Sequence, residues 1–320
     1  MSSTFQRIAA WLATGTTVAA AASMLIHIWP SGRLSGLQWL FGLAVHWQWM
    51  YLALGVPACL LWSLHRMQRR ALPALVCLPL LAGAWLFHTP PAPAAEGSAS
   101  AVLKVAAANL YAGNDDLSRL QAWLTAQDAP DVVVLTEFTH LGAQVVSGPA
   151  LRAAYPHRML LPSADPFGVA ILSRHPLQPA PSMQAPGPGH TPRLRATVQW
   201  GGQEVRLSAM HPMPPLNQQF AALRDEALLE EARWLSQAGA RGILGGDLND
   251  TPWSTGMRGV QGLLMRATGL APTWPNAGGW LSILPLDHVL VTEGWRVHRA
   301  ARGPDLGSDH RPVVVELVAR

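Results

Sequence analysis

The chain has 320 residues, 49% hydrophobic and only 13% charged, about half the usual charged share, which excludes a disordered chain. The formal net charge of +4 falls entirely in residues 1–97, which hold five of the 23 basic residues and one of the 19 acidic ones. Residues 98–320 are therefore neutral overall, and the high pI is no argument that they bind nucleic acid.

No Asp or Glu precedes Glu96. Three apolar stretches lie between the arginines, at 8–30, 37–64 and 71–88. Each approaches or exceeds the ~18 residues that cross a hydrocarbon core as a helix. Trp11, Trp29, Trp39, Trp62 and Trp85 fall near the predicted ends, where indole favours the interface, whereas Trp47 and Trp49 fall mid-span, against that rule. The basic cluster around Arg66, Arg69 and Arg70 reads as cytoplasmic, and Arg7 agrees with it. Residues 1–88 are thus expected to form a membrane domain of three transmembrane helices. The expected location is a bacterial inner membrane, multi-pass, with the C-terminal part facing the periplasm or exterior.

Residues 89–101 are rich in Pro, Ala, Gly and Ser and read as a linker. Such a linker keeps the following domain within ~40 Å of the bilayer. Both cysteines, Cys59 and Cys77, lie inside the expected spans, so residues 102–320 carry neither a disulfide nor a thiolate metal ligand.

In residues 102–320 short β-rich runs alternate with amphipathic helices, the pattern of one large α/β core. Strands are predicted at 103–108, 131–136, 168–173, 194–200, 204–210, 242–246, 286–291 and 312–318. Helices are predicted from a cap at Asn114 through 127 and at 218–237. Polar residues cluster where the strands stop or start: Asn109, Glu137, His211, Asp247 with Asn249, Asp287, and Asp309 with His310. Open α/β sheets place their sites beyond strand ends. Each residue alone has an ordinary alternative, such as a turn Asn, a capping Glu or a satisfied core His. Their recurrence at one place argues for a single site.

Phosphoester hydrolysis suits that set. Hard oxygen ligands fit Mg²⁺ or Mn²⁺ better than zinc. A carboxylate such as Asp247 can orient or deprotonate water, with Asn249 holding the water or a phosphate oxygen. A His–Asp pair fixes one imidazole tautomer and raises its basicity. No Gly-x-Ser-x-Gly, Walker or dinucleotide motif is present, and Lys104 is the only lysine.

These motifs resemble the endonuclease/exonuclease/phosphatase superfamily over residues 102–320. Ala108-Asn109-Leu110, Thr136-Glu137-Phe138, Ala209-Met210-His211, Gly246-Asp247-Leu248-Asn249, Leu286-Asp287-His288 and Ser308-Asp309-His310-Arg311-Pro312 appear in the family's order. The resemblance implies a four-layer α/β sandwich with two packed mixed β-sheets. It implies metal binding by Glu137, Asp309 and Asn109, and catalysis by Asp247, Asn249, His211, His310 and Asp287. It leaves open whether Asp247 or His310 takes the proton from water. Thr136 departs from the family's Gln, and Tyr155 and His157 are the candidates for a partner of the metal carboxylate. The layout of membrane spans followed by such a domain is similar to a bacterial membrane-anchored branch.

The expected location favours a membrane-lipid or envelope phosphoester as substrate. Phe167, Met213, Trp253, Trp274 and Trp280 are available around the site, with Trp274 and Trp280 expected on its rim and Arg193 at the phosphate. Core tryptophans and a solvated Arg193 are the ordinary alternatives. An extracytoplasmic nuclease of the same chemistry is the second reading; a neutral domain with one lysine speaks against it. A catalytically silent binding protein on the same fold is the third. No protein partner is inferable.

Overall fold

The computed structural model describes residues 3–28, 35–63, 68–88, 101–182, 187–237, 241–277 and 281–320. The expected linker lies outside them except for its last residue, as do residues 64–67 of the basic cluster. By its contacts the chain divides into two units, Met1–Pro91 with Pro252–Arg258, and Ala92–Thr251 with Gly259–Arg320.

The first unit is helical: α1 (Ser3–Ser23), α2 (Ser35–Val45), α3 (Gln48–Ser63) and α4 (Gln68–His88). One helix, Thr4–His27, is long and apolar enough to cross a membrane by itself. The expectation of three spans is corrected here. The second predicted stretch is broken into Gly36–Val45 and Gln48–Ser63, which meet at 65° and pass the test only together. The Gln48 amide donates to the Val45 carbonyl at 3.1 Å and to Ser23 Oγ at 3.2 Å. A side chain that takes over a terminal carbonyl in this way stabilises the break. In α4 the apolar part, Val76–Leu86, rises only about 16 Å at 1.5 Å per residue, half of a bilayer core.

The second unit holds two six-stranded mixed sheets. The first has the order β11 (Trp295–Arg302), β12 (Val313–Ala319), β1 (Val102–Asn109), β2 (Val132–Thr136), β4 (Val169–Ser173) and β3 (His157–Leu161). The second has the order β5 (Leu177–Pro179), β6 (Arg193–Trp200), β7 (Gln203–Met210), β8 (Arg241–Asp247), β10 (Asp287–Val291) and β9 (Met265–Arg266). Among the described residues only β1/β2 and β7/β8 pair in parallel; each is the centre of its sheet.

The period-2 alternation of the strands decides the layering. Val105, Ala107, Val132 and Val134 face the second sheet and meet Leu207, Ala209, Ile243 and Val289 in one buried cluster. Ala106, Ala108, Val133 and Leu135 point the other way, onto Leu120, Leu124, Val146 and Leu151. These last residues come from α5 (Ser118–Thr125), α6 (His140–Val146) and α7 (Pro149–Ala154). On the second sheet α8 (Gln218–Ser236) packs against β7 and β8. The expected two packed mixed sheets with helices are therefore present.

Two local details differ from the sequence reading. Asn114 does not start a helix. Its side chain accepts from Asp116 N–H, and Asp116 accepts from Ser118 N–H, so successive side-chain turns delay α5 to Ser118. The β6–β7 hairpin turns on two residues, Gly201 and Gly202, with φ of 58° and 76°. Both angles are positive, as a type I′ turn requires, and glycine supplies them without strain.

Candidate active site

The parallel pairs carry the site. β1 and β2 run side by side, so Asn109, the last residue of β1, lies opposite Thr136, and Glu137 follows at once. β7 and β8 place His211 and Asp247 together at the corresponding end of the second sheet. β10 runs antiparallel to β8 and sets Asp287 directly opposite Asp247. Gly246 makes the close approach of β8 to β7 possible. Its φ is +147°, and a Cβ there would stand 2.0 Å from the Met210 carbonyl oxygen.

All the non-glycine residues with positive φ among the described residues are here: Tyr111 at 60°, Glu137 at 49° and Asn249 at 47°. Such conformations persist only where the surroundings over-determine them. Glu137 is fixed by its successor. Phe138 N–H donates to the Gly168 carbonyl, Ser163 N–H donates to the Phe138 carbonyl, and a Cβ on Gly168 would lie 2.0 Å from that carbonyl oxygen.

Asn109 ties the carboxylates together. Its amide nitrogen donates to Glu137 Oε1 and to Asp247 Oδ2, both at 3.0 Å, so those two oxygens are no more than about 6 Å apart. Its own oxygen accepts from Tyr111 N–H at 2.8 Å, and Glu137 Oε2 accepts from Ala112 N–H at 2.6 Å. Asp247 Oδ2 also faces His211 Nε2 at 3.5 Å and His310 Nε2 at 3.6 Å. Its other oxygen accepts from Asn249 N–H. His310 Nδ1 bonds Asp287 Oδ2 at 2.8 Å. Asn249 donates its side-chain amide to the Pro212 carbonyl at 2.9 Å, with His211 Nε2 at 3.2 Å. Glu137, Asn109, Asp247, Asn249, His211, His310 and Asp287 thus form one connected network.

The electrostatics follow from that network. Burial opposes the His310 imidazolium, but the Asp287 and Asp247 carboxylates outweigh it and push the pKa up to about 10. Burial would raise Asp247, yet the positive charges of His310 and His211 hold it well below the usual carboxylate range. Burial, helped by the neighbouring Asp247 carboxylate, pushes the Asp287 carboxyl up against the pull of His310. His211 is buried too, and the Asp247 carboxylate beside it more than offsets that, raising its pKa. Neighbouring His288 behaves oppositely: burial dominates and lowers it to about 4, a neutral imidazole between the Asp250 carbonyl and Thr268 Oγ1.

Asp309 is held from outside the network. Trp274 Nε1 donates to its Oδ2 at 3.1 Å, while its buried Oδ1 has no hydrogen-bond partner among the described residues. A buried carboxylate oxygen without a donor fits a cation, as do the remaining lone pairs on Glu137. The donor set is hard oxygen, suited to Mg²⁺ or Mn²⁺. Asp247, Asp287 and His310 also present ligand atoms within 4.8 Å of one another. There the 2.8 Å His310–Asp287 hydrogen bond occupies two of the three groups.

Several expected residues stand elsewhere. Arg193 is not free for phosphate: its guanidinium bonds Glu230 at 2.8 Å, Glu231 at 3.0 Å and the Ala227 carbonyl, in a buried ion cluster with Arg195 and Ser208. Tyr155 is a core residue whose hydroxyl donates to the Pro130 carbonyl at 2.7 Å, and burial raises its pKa to about 12. His157 pairs with Ser173, at the end of the sheet remote from Glu137. Trp253 is buried and groups with the helical unit. Trp280 lies outside the described residues. Of the aromatic candidates, Phe167 meets the His211 ring at 5.5 Å between centroids, and Trp274 the His310 ring at 6.4 Å.

Residues 106–310 match the model of the endonuclease/exonuclease/phosphatase family. The chain belongs to that family. Its members are hydrolases of phosphoesters that use divalent metal ions. No curated protein matches the chain. Among solved structures it is similar to D. rerio TDP2 in complex with a single-strand DNA product, at 19% identity and TM-score 0.55 over 68% of this chain and 99% of that one. It is also similar to a family protein of Beutenbergia cavernae, at 23% and 0.51 over 68% and 72%. A third is from Bacteroides vulgatus, at 16% and 0.52 over 69% and 100%. Identities this low establish the shared fold.

Proposed function

We propose that the chain is a membrane-anchored, metal-dependent phosphoester hydrolase acting on a lipid or envelope phosphoester. The observation that carries the chemistry is the single network joining Glu137, Asn109, Asp247, His211, His310 and Asp287.

Glu137 and Asp309 would hold the metal, with the Asn109 oxygen beside them. The ion would supply positive charge to the phosphoryl oxygens. Asn109 keeps Glu137 and Asp247 at a fixed separation. Asp247, ionised and centred between two imidazoles, accepts a hydrogen bond from the attacking water and orients it. His310, made cationic by Asp287 and Asp247, presents Nε2–H to a phosphoryl oxygen. His211 and Asn249 hold the opposite side of the phosphate. Trp274 steadies Asp309 and walls the pocket beside His310.

Three observations support the lipid or envelope reading. The catalytic part has eighteen basic and eighteen acidic residues, and no field to attract a polyanion. Apart from Val102, its exposed large hydrophobic residues among those described are Tyr111, Leu216 and Leu281, each on a loop at the site end of a sheet. The N-terminal helix Thr4–His27 suits an anchor. An inner-membrane location with the catalytic part outside the cytoplasm belongs to the same proposal and rests on the arginine distribution.

The second reading, a nuclease, is favoured by the DNA product held by the D. rerio neighbour. A panel of phospholipid, isoprenoid phosphate, DNA and a generic diester, assayed with Mg²⁺ or Mn²⁺, separates the two. Preferred cleavage of a lipid phosphoester is expected; preferred cleavage of DNA would replace this reading with the second. A protease-accessibility tag at Arg320 tests the orientation, and a tag reached only from the cytoplasm would overturn it.

A further inference from the structure

Arg224 lies on α8 in register with Leu228, Glu231, Ala232 and Leu235, where helical spacing calls for apolar side chains. Its side chain is 4% exposed. A guanidinium so buried persists only when its N–H groups are met. Asp225, its neighbour on the helix, accepts from Nε at 3.0 Å and from Nη2 at 2.9 Å. Nη1 is directed away from the helix. It donates to the backbone carbonyl of Asn249 at 2.9 Å and faces Asp250 Oδ1 at 3.3 Å.

Asp250 is fully buried. Its Oδ1 also accepts from Thr251 N–H, and its carbonyl meets His288 Nε2 at 3.0 Å. The turn after the Gly-Asp-x-Asn motif is therefore gripped from α8 on one side and from β10 on the other. Within the grip sits Asn249, at φ +47°. That left-handed bend turns the Asn249 amide onto Pro212 and His211 while its N–H bonds Asp247. Asn tolerates this region better than most residues, and the bond to Asp247 leaves its carbonyl to be fixed from outside the turn.

We propose that Arg224, with Asp250, is a positioning residue. It fixes the Asn249 carbonyl, and through it the angle at which the Asn249 amide meets His211. It touches no reacting atom. The inference rests on the phosphoester site proposed above, since only a reacting phosphate gives that angle a consequence.

The test uses the full-length protein in detergent. Removing Arg224 alone would take a cation from a buried carboxylate. The main variant is therefore the double one, Arg224→Met with Asp250→Asn, and Arg224→Lys is its companion, keeping the charge without the fork. Each is read by near-UV circular dichroism, by kcat and KM on a generic phosphodiester with Mg²⁺, and by the imidazole NMR signals of His211. We expect folded variants whose kcat falls about ten- to a hundred-fold, the range for a misplaced catalytic group. KM should stay within about two-fold by the same argument, and the His211 signals should move. A folded variant with wild-type kcat and unmoved His211 signals would overturn the proposal. So would the unfolding of both variants, which would make the clamp structural. If the wild-type protein cleaves no phosphoester, the functional reading fails by itself, and the His211 signals still show whether Arg224 sets that angle.

Discussion

The two units treat the same side-chain types in opposite ways. Of the nineteen large hydrophobic residues exposed among the described ones, fifteen are in the helical unit, from Phe5 to Leu86, and four in the catalytic unit. In the helical unit, hydroxyls turn back onto their own helix: Thr16 to Leu12, Thr17 to Ala13, Ser63 to Leu60. In the catalytic unit, buried polar groups reach across elements, as Asp287 to His310 and Arg195 to Glu231. Polar groups closed locally and apolar groups turned outward are the arrangement a lipid solvent selects. Long-range polar pairing inside an apolar shell is the arrangement water selects. The difference supports the membrane anchor proposed above: it is the contrast expected of a chain with one unit in lipid and its chemistry in the other.

The largest effect expected on the catalytic side comes from His310→Ala. It removes the cation between Asp287 and Asp247, and turnover should drop about 10²- to 10⁴-fold with the fold retained. Metal is the second lever. Chelation should abolish turnover and Mg²⁺ or Mn²⁺ restore it, while Glu137→Gln should raise the metal concentration needed for half-maximal rate. Unchanged metal demand in that variant would move the ion away from Glu137. On the other side of the comparison, a carbonate wash should leave the protein in the membrane fraction; release into the supernatant would remove the lipid solvent from the account.

Acid sensitivity tests the inside of the catalytic unit. His288 is neutral when folded, with a pKa near 4, and titrates near 6.5 when unfolded. The unfolded chain binds the extra proton, so its contribution to stability is intact above pH 6.5 and is lost as pH falls toward 4. The loss is on the order of 3 kcal/mol for that difference. Denaturant titrations across that range should show the decline, and it should disappear in His288→Gln. The smallest effect is a helix cap. Asn217 accepts from Phe220 N–H at the start of α8, and Asn217→Ala should cost about 1 kcal/mol, read from the denaturation midpoint.

Much of this was legible in the sequence because strands announce themselves by period and the site residues sit at their ends. Asn109, Glu137, His211, Asp247, Asp287 and His310 all follow or open such runs. The misreadings have physical causes. Arg193 looks like a free cation on an alternating strand, but its partners Glu230 and Glu231 are on α8, some 37 residues on. Arg224 does not announce itself in the sequence, because a charged residue on a helix reads as solvated. The available signal was its spacing to Leu228, Ala232 and Leu235 on one buried face. The tie from Trp274 to Asp309 spans 35 residues and has no local pattern. In the helical unit, hydropathy averages over the break at His46 and Trp47, although the misplaced Trp47 lies in it and Trp49 just after it.

The central claim is that distant segments of this chain build one metal-dependent phosphoester site. It is tested most directly by the rate at which purified protein cleaves a generic phosphodiester, with and without EDTA, beside Asp247→Ala. The account predicts turnover that EDTA removes and that the variant lowers about a hundred-fold or more. Turnover that persists in EDTA, or at the wild-type rate in Asp247→Ala, would contradict it.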